Sequence, residues 1–148
     1  MISRPSDAVP RPWFWEGNVQ ATVVDHLTCD GWCVIRQADT VSREPGKDIE
    51  LEREGVRMWV TVKGFPNGTP RTPPNTQARH WFTAALFDVI LWRETDAGVR
   101  IGLALPNMPT YRRQASRTTW FQRAANFTFL WVDETAVVVE DLGAGATP

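Results

Sequence analysis

An acid and a lysine within one short segment have the side chains that phosphodiester hydrolysis needs. The segment GKDIELEREGVRMWVTVKG, residues 46–64, has Asp48 at the start of one alternating run and Lys63 at the end of the next. Carboxylates hold Mg²⁺, the metal polarises a phosphoryl oxygen, and a lysine orients the attacking water or steadies developing charge. The alternative interpretation is a solvated hairpin face of mixed charge, which is common in sheet proteins.

A β-hairpin would position these groups. The run DIELE alternates two aliphatic residues with three acids, and RMWVTVKG alternates in the same way around Val60 and Val62. Because successive side chains in a strand point to opposite faces, the acids share one face of the first strand. The turn-like dipeptide Glu54-Gly55 separates the two runs. The pattern therefore predicts two strands with their polar side chains on one face.

Helices and further strands follow from the rest of the chain. Apolar residues at i, i+4 and i+8 predict a first helix in WFWEGNVQATVVDHL, and WCVIRQADT predicts a strand. After the loop FPNGTPRTPPNT, a second helix is predicted to begin at the cap Thr76 and to be largely buried. A strand at VRIGLALP, a third helix at YRRQASRTTWFQRAAN and strands at FTFLWVDE and AVVVEDL complete the order. This alternation favours an α/β fold whose mixed central sheet is flanked by helices.

The length and composition predict one soluble domain. A chain of 148 residues suffices for a single core, which we place at residues 13–142 between flexible tails at 1–12 and 143–148. No apolar run approaches the roughly 20 residues of a membrane span, and the N-terminus has no apolar signal region. We therefore expect a cytoplasmic protein without a membrane partner. Trp13 and Trp15 are candidates for an exposed surface that contacts a homodimer mate or another protein, or that stacks on bases.

Local arginines, and not the overall charge, would have to attract DNA. The formal net charge is -1 at pH 7, which gives no global attraction to nucleic acid. Arginines occur in the loop, on the second helix and along the predicted third helix, where they could contact phosphates. A solvated helix face is the alternative. The candidate DNA-binding residues are Arg71, Arg79, Arg112, Arg113 and Arg117.

Four short motifs follow one another along the chain: the helix-1 acid Glu16, the strand entry GKDIEL, the strand end VTVKG, and QARHW at the start of the next helix. Their joint order resembles the PD-(D/E)xK nuclease superfamily, in particular its RecB-like and Holliday-junction-resolvase-like members. The resemblance implies a restriction-endonuclease-like αβββαβ core and Mg²⁺- or Mn²⁺-dependent DNA cleavage in repair, recombination or defence. It also implies that Glu16 and Asp48 bind the metal, Lys63 is catalytic and Gln77 positions the substrate.

Thr61 departs from the motif, because the superfamily has an acid two residues before the lysine. Three explanations remain open. Glu50, about 6.8 Å from Asp48 along the same strand face, supplies the missing carboxylate. Alternatively, Asp48, Glu16 and the substrate phosphates suffice, since Mg²⁺ often takes only one or two protein carboxylates. In the third explanation the site is inactive, and the protein is a non-catalytic module that binds DNA or a protein partner.

Overall fold

Residues 10–39 and 47–143, which the computed structural model describes, form four helices around one six-stranded sheet. The helices are α1 (Glu16–Cys29), α2 (Pro74–Thr95), α3 (Pro109–Ser116) and α4 (Thr119–Ala125). The strands are β1 (Cys33–Gln37), β2 (Ile49–Arg53), β3 (Val56–Val62), β4 (Arg100–Pro106), β5 (Thr128–Val132) and β6 (Val138–Asp141). The order α1-β1-β2-β3-α2-β4 is the predicted restriction-endonuclease-like αβββαβ core, so the predicted fold class is confirmed.

The strands lie in the sheet in chain order, with parallel pairing at its centre. β3, β4 and β5 run parallel, whereas β1, β2 and β3 are antiparallel neighbours and β6 is antiparallel to β5. The β2–β3 hairpin is confirmed, and its turn residues Glu54 and Gly55 both have positive φ, 51° and 78°. Two such residues give a turn whose twist matches that of the flanking strands. The carboxyl ends of the three parallel strands meet at one edge of the sheet.

The sheet has a hydrophobic core on each face, as the order of elements predicts. On one face, α1 buries Val19, Val23 and Leu27 against aliphatic residues of β2 and β3. On the other, α2 buries Phe82 and Val89 against β4 and β5. The alternation of β2 and β3 turns their aliphatic residues toward α1. Their polar residues consequently face α2.

The predicted third helix is wrong in one respect, because it is two helices. α3 ends at Ser116, with Arg117 as its C-cap, and α4 begins at Thr119. The Thr118 hydroxyl donates to the carbonyls of Gln114 and Ala115, at 3.0 and 3.3 Å. The backbone N–H groups of Arg117 and Thr118 donate to carbonyls three residues back, so the i, i+4 ladder of α3 ends here. Arg117 therefore ends α3, and α4 begins as a separate helix at Thr119.

Two predictions about α2 are also wrong. The helix begins at Pro74 with Pro73 as its N-cap, so Thr76 lies inside the first turn and is not the cap. Proline suits this first position because its fixed φ is helical and no backbone N–H is lost. The helix is not largely buried either, since Phe87, Ile90 and Leu91 are 47–55% exposed. α2 packs on the sheet through one face only.

The chain ends lie mostly outside the described residues. Residues 1–9, 40–46 and 144–148 are not described, so the predicted flexible tails stay predictions. The carbonyls of Arg11 and Pro12 accept hydrogen bonds from Asn18, at 3.2 and 2.8 Å. Trp13 and Trp15 are half-buried and not the exposed surface we predicted. Among the described residues, no helix has the length and apolar character needed to cross a membrane.

Candidate active site

Two carboxylates meet at one threonine hydroxyl between the hairpin and α2. Thr61 Oγ1 donates to Asp88 Oδ2 at 2.9 Å and lies 3.5 Å from Asp48 Oδ2. The backbone N–H of Val62 donates to the same Asp48 oxygen at 2.6 Å. Thr61 is only 1% exposed. We call Asp48, Thr61 and Asp88 the carboxylate cluster.

Strand alternation and the course of α2 explain the cluster. Ile49 and Val62 face α1, so Asp48 and Thr61 point toward α2. α2 runs antiparallel to β3 across this face, with the rings of Trp92 and Trp59 6.2 Å apart one helical turn beyond Asp88. The middle of α2, and not its first turn, therefore meets the hairpin at Thr61.

The surroundings of Asp48 disfavour the negative charge of its carboxylate. Burial raises the pKa of its carboxyl above the ordinary value, and the nearby negative charge of Asp88 raises it further. The Val62 N–H, the positive charge of Lys63 and the Thr61 hydroxyl oppose this shift. Two acids in a partly dry site with one neighbouring lysine form an environment that favours a cation.

Lys63 and Glu16 lie at the carboxyl edge of the parallel strands. The Lys63 N–H donates to the Ala104 carbonyl at 3.0 Å, which ties the lysine backbone to β4. The next residue, Gly64, packs against the backbone of Glu16 at the start of α1. Burial and the negative charge of Glu16 raise the pKa of Tyr111, whose hydroxyl donates to the Gly64 carbonyl at 2.7 Å. α1, α3 and the end of β3 thus converge on one short segment.

The Tyr111 hydroxyl fixes the segment that carries Lys63, and its removal tests this role. Tyr111→Phe leaves the buried Gly64 carbonyl without its donor, so we expect a loss of about 1–2 kcal/mol in the free energy of unfolding, measured by urea denaturation. Thr83→Val removes an exposed hydroxyl that donates to the Arg79 carbonyl at 2.9 Å and should cost less than about 0.5 kcal/mol. Equal effects of the two variants would contradict this role for Tyr111.

The predicted metal set of Glu16, Asp48 and Glu50 is not gathered at one point. Within residues 10–39 and 47–143, no group of three or more histidine, cysteine, aspartate or glutamate side chains is placed to hold a metal ion. Glu50 is half-buried beside Trp59, its partner in the β2–β3 register, two residues beyond Asp48. The two acids that share a contact are Asp48 and Asp88. The roles of Glu16 and Glu50 as metal ligands stay predictions.

Gln77 belongs to the same flank of α2 as Asp88 but lies farther along it. With about 100° per residue, Gln77, Trp81 and Asp88 fall within a narrow sector of the helix surface. Their separations from Asp88 along the axis are about 16 Å for Gln77 and 10 Å for Trp81. The Gln77 Oε1 atom is buried without a hydrogen-bond partner. Gln77 therefore lies on the same side of α2 as the carboxylate cluster but does not belong to it.

Sequence reasoning missed Asp88. It is the single charged residue in the stretch FTAALFDVILW, residues 82–92. An isolated acid in an apolar helix is a recognisable signal, because a charge is seldom placed near a core without a partner. Its contact with Thr61, 27 positions away in the chain, depends on how α2 crosses the sheet.

One predicted DNA-binding arginine is fixed at the edge where the parallel strands end. The Arg112 guanidinium lies 4.1 Å from the centre of the Trp131 ring, and its Nε donates to Asn107 Oδ1 at 2.7 Å. Asn107 directly follows β4, and Trp131 belongs to β5. Arg112 is thus a positioned cation at the same sheet edge as Lys63.

The other four predicted arginines are exposed but distributed over several elements. Arg71 lies in the loop before α2, and Arg79 on α2 donates to Thr76 Oγ1 at 3.1 Å. Arg113 belongs to the last turn of α3, and Arg117 caps that helix. The predicted i, i+4 pair of Arg113 and Arg117 therefore spans the helix end. DNA contact by all five stays a prediction.

The fold defines a class of protein. The chain is an α/β protein with a restriction-endonuclease-like core and a polar site between the hairpin and the following helix. Comparison with protein-family models and with curated proteins finds no match.

Two solved structures share the fold. An XisH family protein from Nostoc punctiforme is 22% identical, with a TM-score of 0.51 over 82% of this chain and 95% of that one. An fdxN element excision controlling factor protein from Anabaena variabilis is 20% identical, with a TM-score of 0.52 over 84% and 98% of the two chains.

Proposed function

We propose that this protein is a metal-dependent deoxyribonuclease that acts on DNA during rearrangement, repair or defence. The observation that carries the proposal is the carboxylate cluster, in which one buried hydroxyl contacts Asp88 and Asp48 next to Lys63. In this proposal Asp88, whose Oδ2 atom lies 2.9 Å from the Thr61 hydroxyl, takes the part of the acid that Thr61 replaces. This provides a fourth explanation of the threonine, in addition to the three that the sequence left open.

The chemistry of the donor set fits Mg²⁺ or Mn²⁺. Asp48 and Asp88 would hold the ion through carboxylate oxygens, which these hard cations prefer, and one or two protein carboxylates are an ordinary number for Mg²⁺. The raised pKa of Asp48 also agrees, since a buried acid beside a second acid lacks sufficient positive charge. When bound, the metal supplies Lewis-acid polarisation of the phosphate and a more acidic water.

The protein side chains have separate roles in this proposal. The Val62 N–H orients one oxygen of Asp48, and the Thr61 hydroxyl orients Asp88. Lys63 provides positive charge for the attacking water or for the developing charge on the phosphate. The Tyr111 hydroxyl holds the backbone next to Lys63 in place.

Arg112 and the name of a structural neighbour support DNA as the substrate. Arg112 presents a guanidinium held by Trp131 and Asn107 at the sheet edge where Lys63 lies, which suits a phosphate contact. One neighbouring structure is an excision controlling factor. Among the DNA processes we propose, its name favours rearrangement.

A second candidate function is a non-catalytic module that binds DNA or a protein. The observation in its favour is Thr61 itself, together with the lack of a three-acid group among the described residues. Phe87, Ile90 and Leu91 on α2 are exposed apolar residues on which a protein partner or a second copy of this chain could pack.

Cleavage of DNA in the presence of Mn²⁺ tests the proposal. We expect the wild-type protein to cut single-stranded, duplex or branched DNA with Mn²⁺ and not with EDTA, and Asp48→Ala to lose this activity. Glu52→Ala is the matched control, since Glu52 lies on the same strand face about 13 Å beyond Asp48 and pairs at 3.8 Å with Arg57. If Asp48→Ala and Glu52→Ala lose cleavage activity equally, the carboxylate cluster is not the catalytic site.

Thr61→Glu distinguishes the two candidate functions. If only this variant cuts, the natural protein is a disabled nuclease whose missing acid has been restored. If neither protein cuts any of the three DNA substrates, the non-catalytic function is the better conclusion.

A further inference from the structure

The side of α2 that faces away from the sheet is an exposed apolar surface. It lies about half a turn round the helix axis from Phe82 and Val89, which pack in the core. Its side chains Phe87, Ile90 and Leu91 are 55%, 47% and 49% exposed. A contiguous apolar surface of this kind marks a site of protein association. We call this side the outer face of α2.

The spacing along the outer face is that of a helix that packs on another helix. Exposed residues recur along its midline at intervals of four, three, four and three residues: His80, Ala84, Phe87, Leu91 and Glu94. Alternating intervals of three and four keep one line of side chains on a single side of a helix, as in the seam of a coiled coil. The pattern therefore indicates a second helix as the partner.

Opposite charges lie at the two ends of the outer face. Arg79 and Glu94 are about 12 and 10 Å from Phe87 along the axis, in opposite directions. Both are exposed, and within the described part of the chain neither takes part in an ion pair. The Arg79 guanidinium donates only to the neutral Thr76 hydroxyl, at 3.1 Å. Each end of the face therefore offers a charge to a partner.

An antiparallel second copy of α2 matches each part of the outer face. A two-fold axis at Phe87 places residues equally far from it on either side opposite each other. Phe87 then meets Phe87 of the second copy, and Leu91 packs on Ala84 of the second copy. Arg79 lies opposite Glu94 of the second copy at both ends of the helix pair. A parallel pair would instead place like charges together.

We propose that the protein forms a homodimer through the outer face of α2, with the two helices antiparallel and Arg79 of each copy paired with Glu94 of the other. The partner is a second copy because the face contains both halves of every contact, as a two-fold interface requires. The inference does not rest on the nuclease proposal. It gives Arg79, one of the candidate DNA-binding residues, a protein partner.

The mass of the full chain in solution, measured by sedimentation equilibrium without DNA or metal, tests the inference. We expect the wild-type protein to have twice the 16.8 kDa mass of the chain at about 100 μM. Ile90→Glu places a charge from each copy beside the apolar seam and should raise the dimer Kd about 100-fold. Ile35→Glu is the matched control. Ile35 is also 47% exposed but lies on the edge strand β1, so its substitution should change the Kd less than about threefold.

Exchange of the two charges tests the antiparallel arrangement. Arg79→Glu or Glu94→Arg alone places like charges opposite each other at both ends and should raise the Kd about 10-fold. The double variant restores opposite charges and should return the Kd to within about threefold of the wild type. Every substituted side chain is exposed in the single chain, so the variants should keep the wild-type circular dichroism spectrum. Loss of the dimer is then not a folding defect.

Four results would overturn the inference: a wild-type monomer at about 100 μM, no effect of Ile90→Glu, an equal effect of Ile35→Glu, or a double charge variant no tighter than the single ones. An outer face that binds a different protein gives the first result. A monomer that cuts DNA with Mn²⁺ overturns only the inference. A dimer that responds as expected but cuts no DNA overturns only the nuclease proposal.

Discussion

Asp48→Asn is expected to stabilise the metal-free protein and to lower metal-dependent cleavage on the order of 100-fold or more. The asparagine oxygen can still accept from the Val62 N–H and the Thr61 hydroxyl, while the negative charge that Asp88 repels is removed. Removing a partly buried charge beside a second acid should raise the free energy of unfolding on the order of 1 kcal/mol at neutral pH. Urea denaturation with EDTA and a cleavage assay with Mn²⁺ measure the two effects.

The pH dependence of this gain has a defined sign. Burial and the charge of Asp88 raise the pKa of Asp48 in the folded protein above its ordinary value of 3.8. Protonated Asp48 therefore contributes its full stabilisation of the folded state at a pH below 3.8. The contribution is lost as the pH rises through the raised pKa. The advantage of Asp48→Asn over the wild type should therefore be largest at neutral pH and shrink on acidification.

Asp133→Asn is the control with the opposite sign. The Thr135 hydroxyl and the Val137 N–H lower the pKa of Asp133, so this group contributes stability above its ordinary value of 3.8. The contribution is lost as the pH falls through the lowered pKa, and Asp133→Asn should reduce stability at neutral pH. If Asp48→Asn is less stable than the wild type at neutral pH, the environment of Asp48 does not disfavour its negative charge, and the prediction is wrong.

Gly64→Ala is expected to cost about 3 kcal/mol in the free energy of unfolding. A β-carbon on Gly64 would lie 2.5 Å from the Glu16 nitrogen and 2.7 Å from the Phe14 oxygen. Both are backbone atoms that cannot rotate away, so the chain must separate there, which threatens the 2.9 Å hydrogen bond from the Phe65 N–H to the Phe14 carbonyl. Urea denaturation measures the cost.

The same substitution should also impair the site, because Gly64 follows Lys63 directly. A displacement of about 1 Å in a catalytic group can reduce a rate about 100-fold. Gly98→Ala is the matched control: the nearest atom to its added carbon is an Asp96 oxygen at 3.7 Å, so its stability should change by less than about 0.5 kcal/mol. A Gly64→Ala protein as stable as Gly98→Ala would contradict the close approach of α1 to the end of β3.

Local pattern was sufficient to predict much of the fold. Val19, Val23 and Leu27 are buried at the spacing of one helix face, and the alternation of β2 and β3 gives the hairpin its two different faces. These features depend on residues close in sequence. The division of α3 from α4 lies in the backbone at Arg117 and Thr118, whose N–H groups bond three residues back, and helical periodicity does not report it.

The candidate site was less accessible to sequence reasoning. The hairpin could be predicted to place Asp48 and Thr61 on one face, and their Oδ2 and Oγ1 atoms are 3.5 Å apart. The contribution of Asp88 could not be predicted, because no fixed spacing in the sequence relates a strand residue to the residue of a crossing helix that contacts it. Glu50 was proposed as the substitute acid because it is near Asp48 in sequence. The acid that contacts Thr61 comes instead from α2.

Thr61 also has a consequence for the proposed metal site. With an acid at this position three negative charges would crowd one site, and the site would depend on a cation to stay assembled. The hydroxyl instead donates to Asp88 and lies within reach of Asp48, so these side chains are connected by a neutral donor. We therefore expect chelation of divalent cations to abolish the proposed cleavage without unfolding the protein.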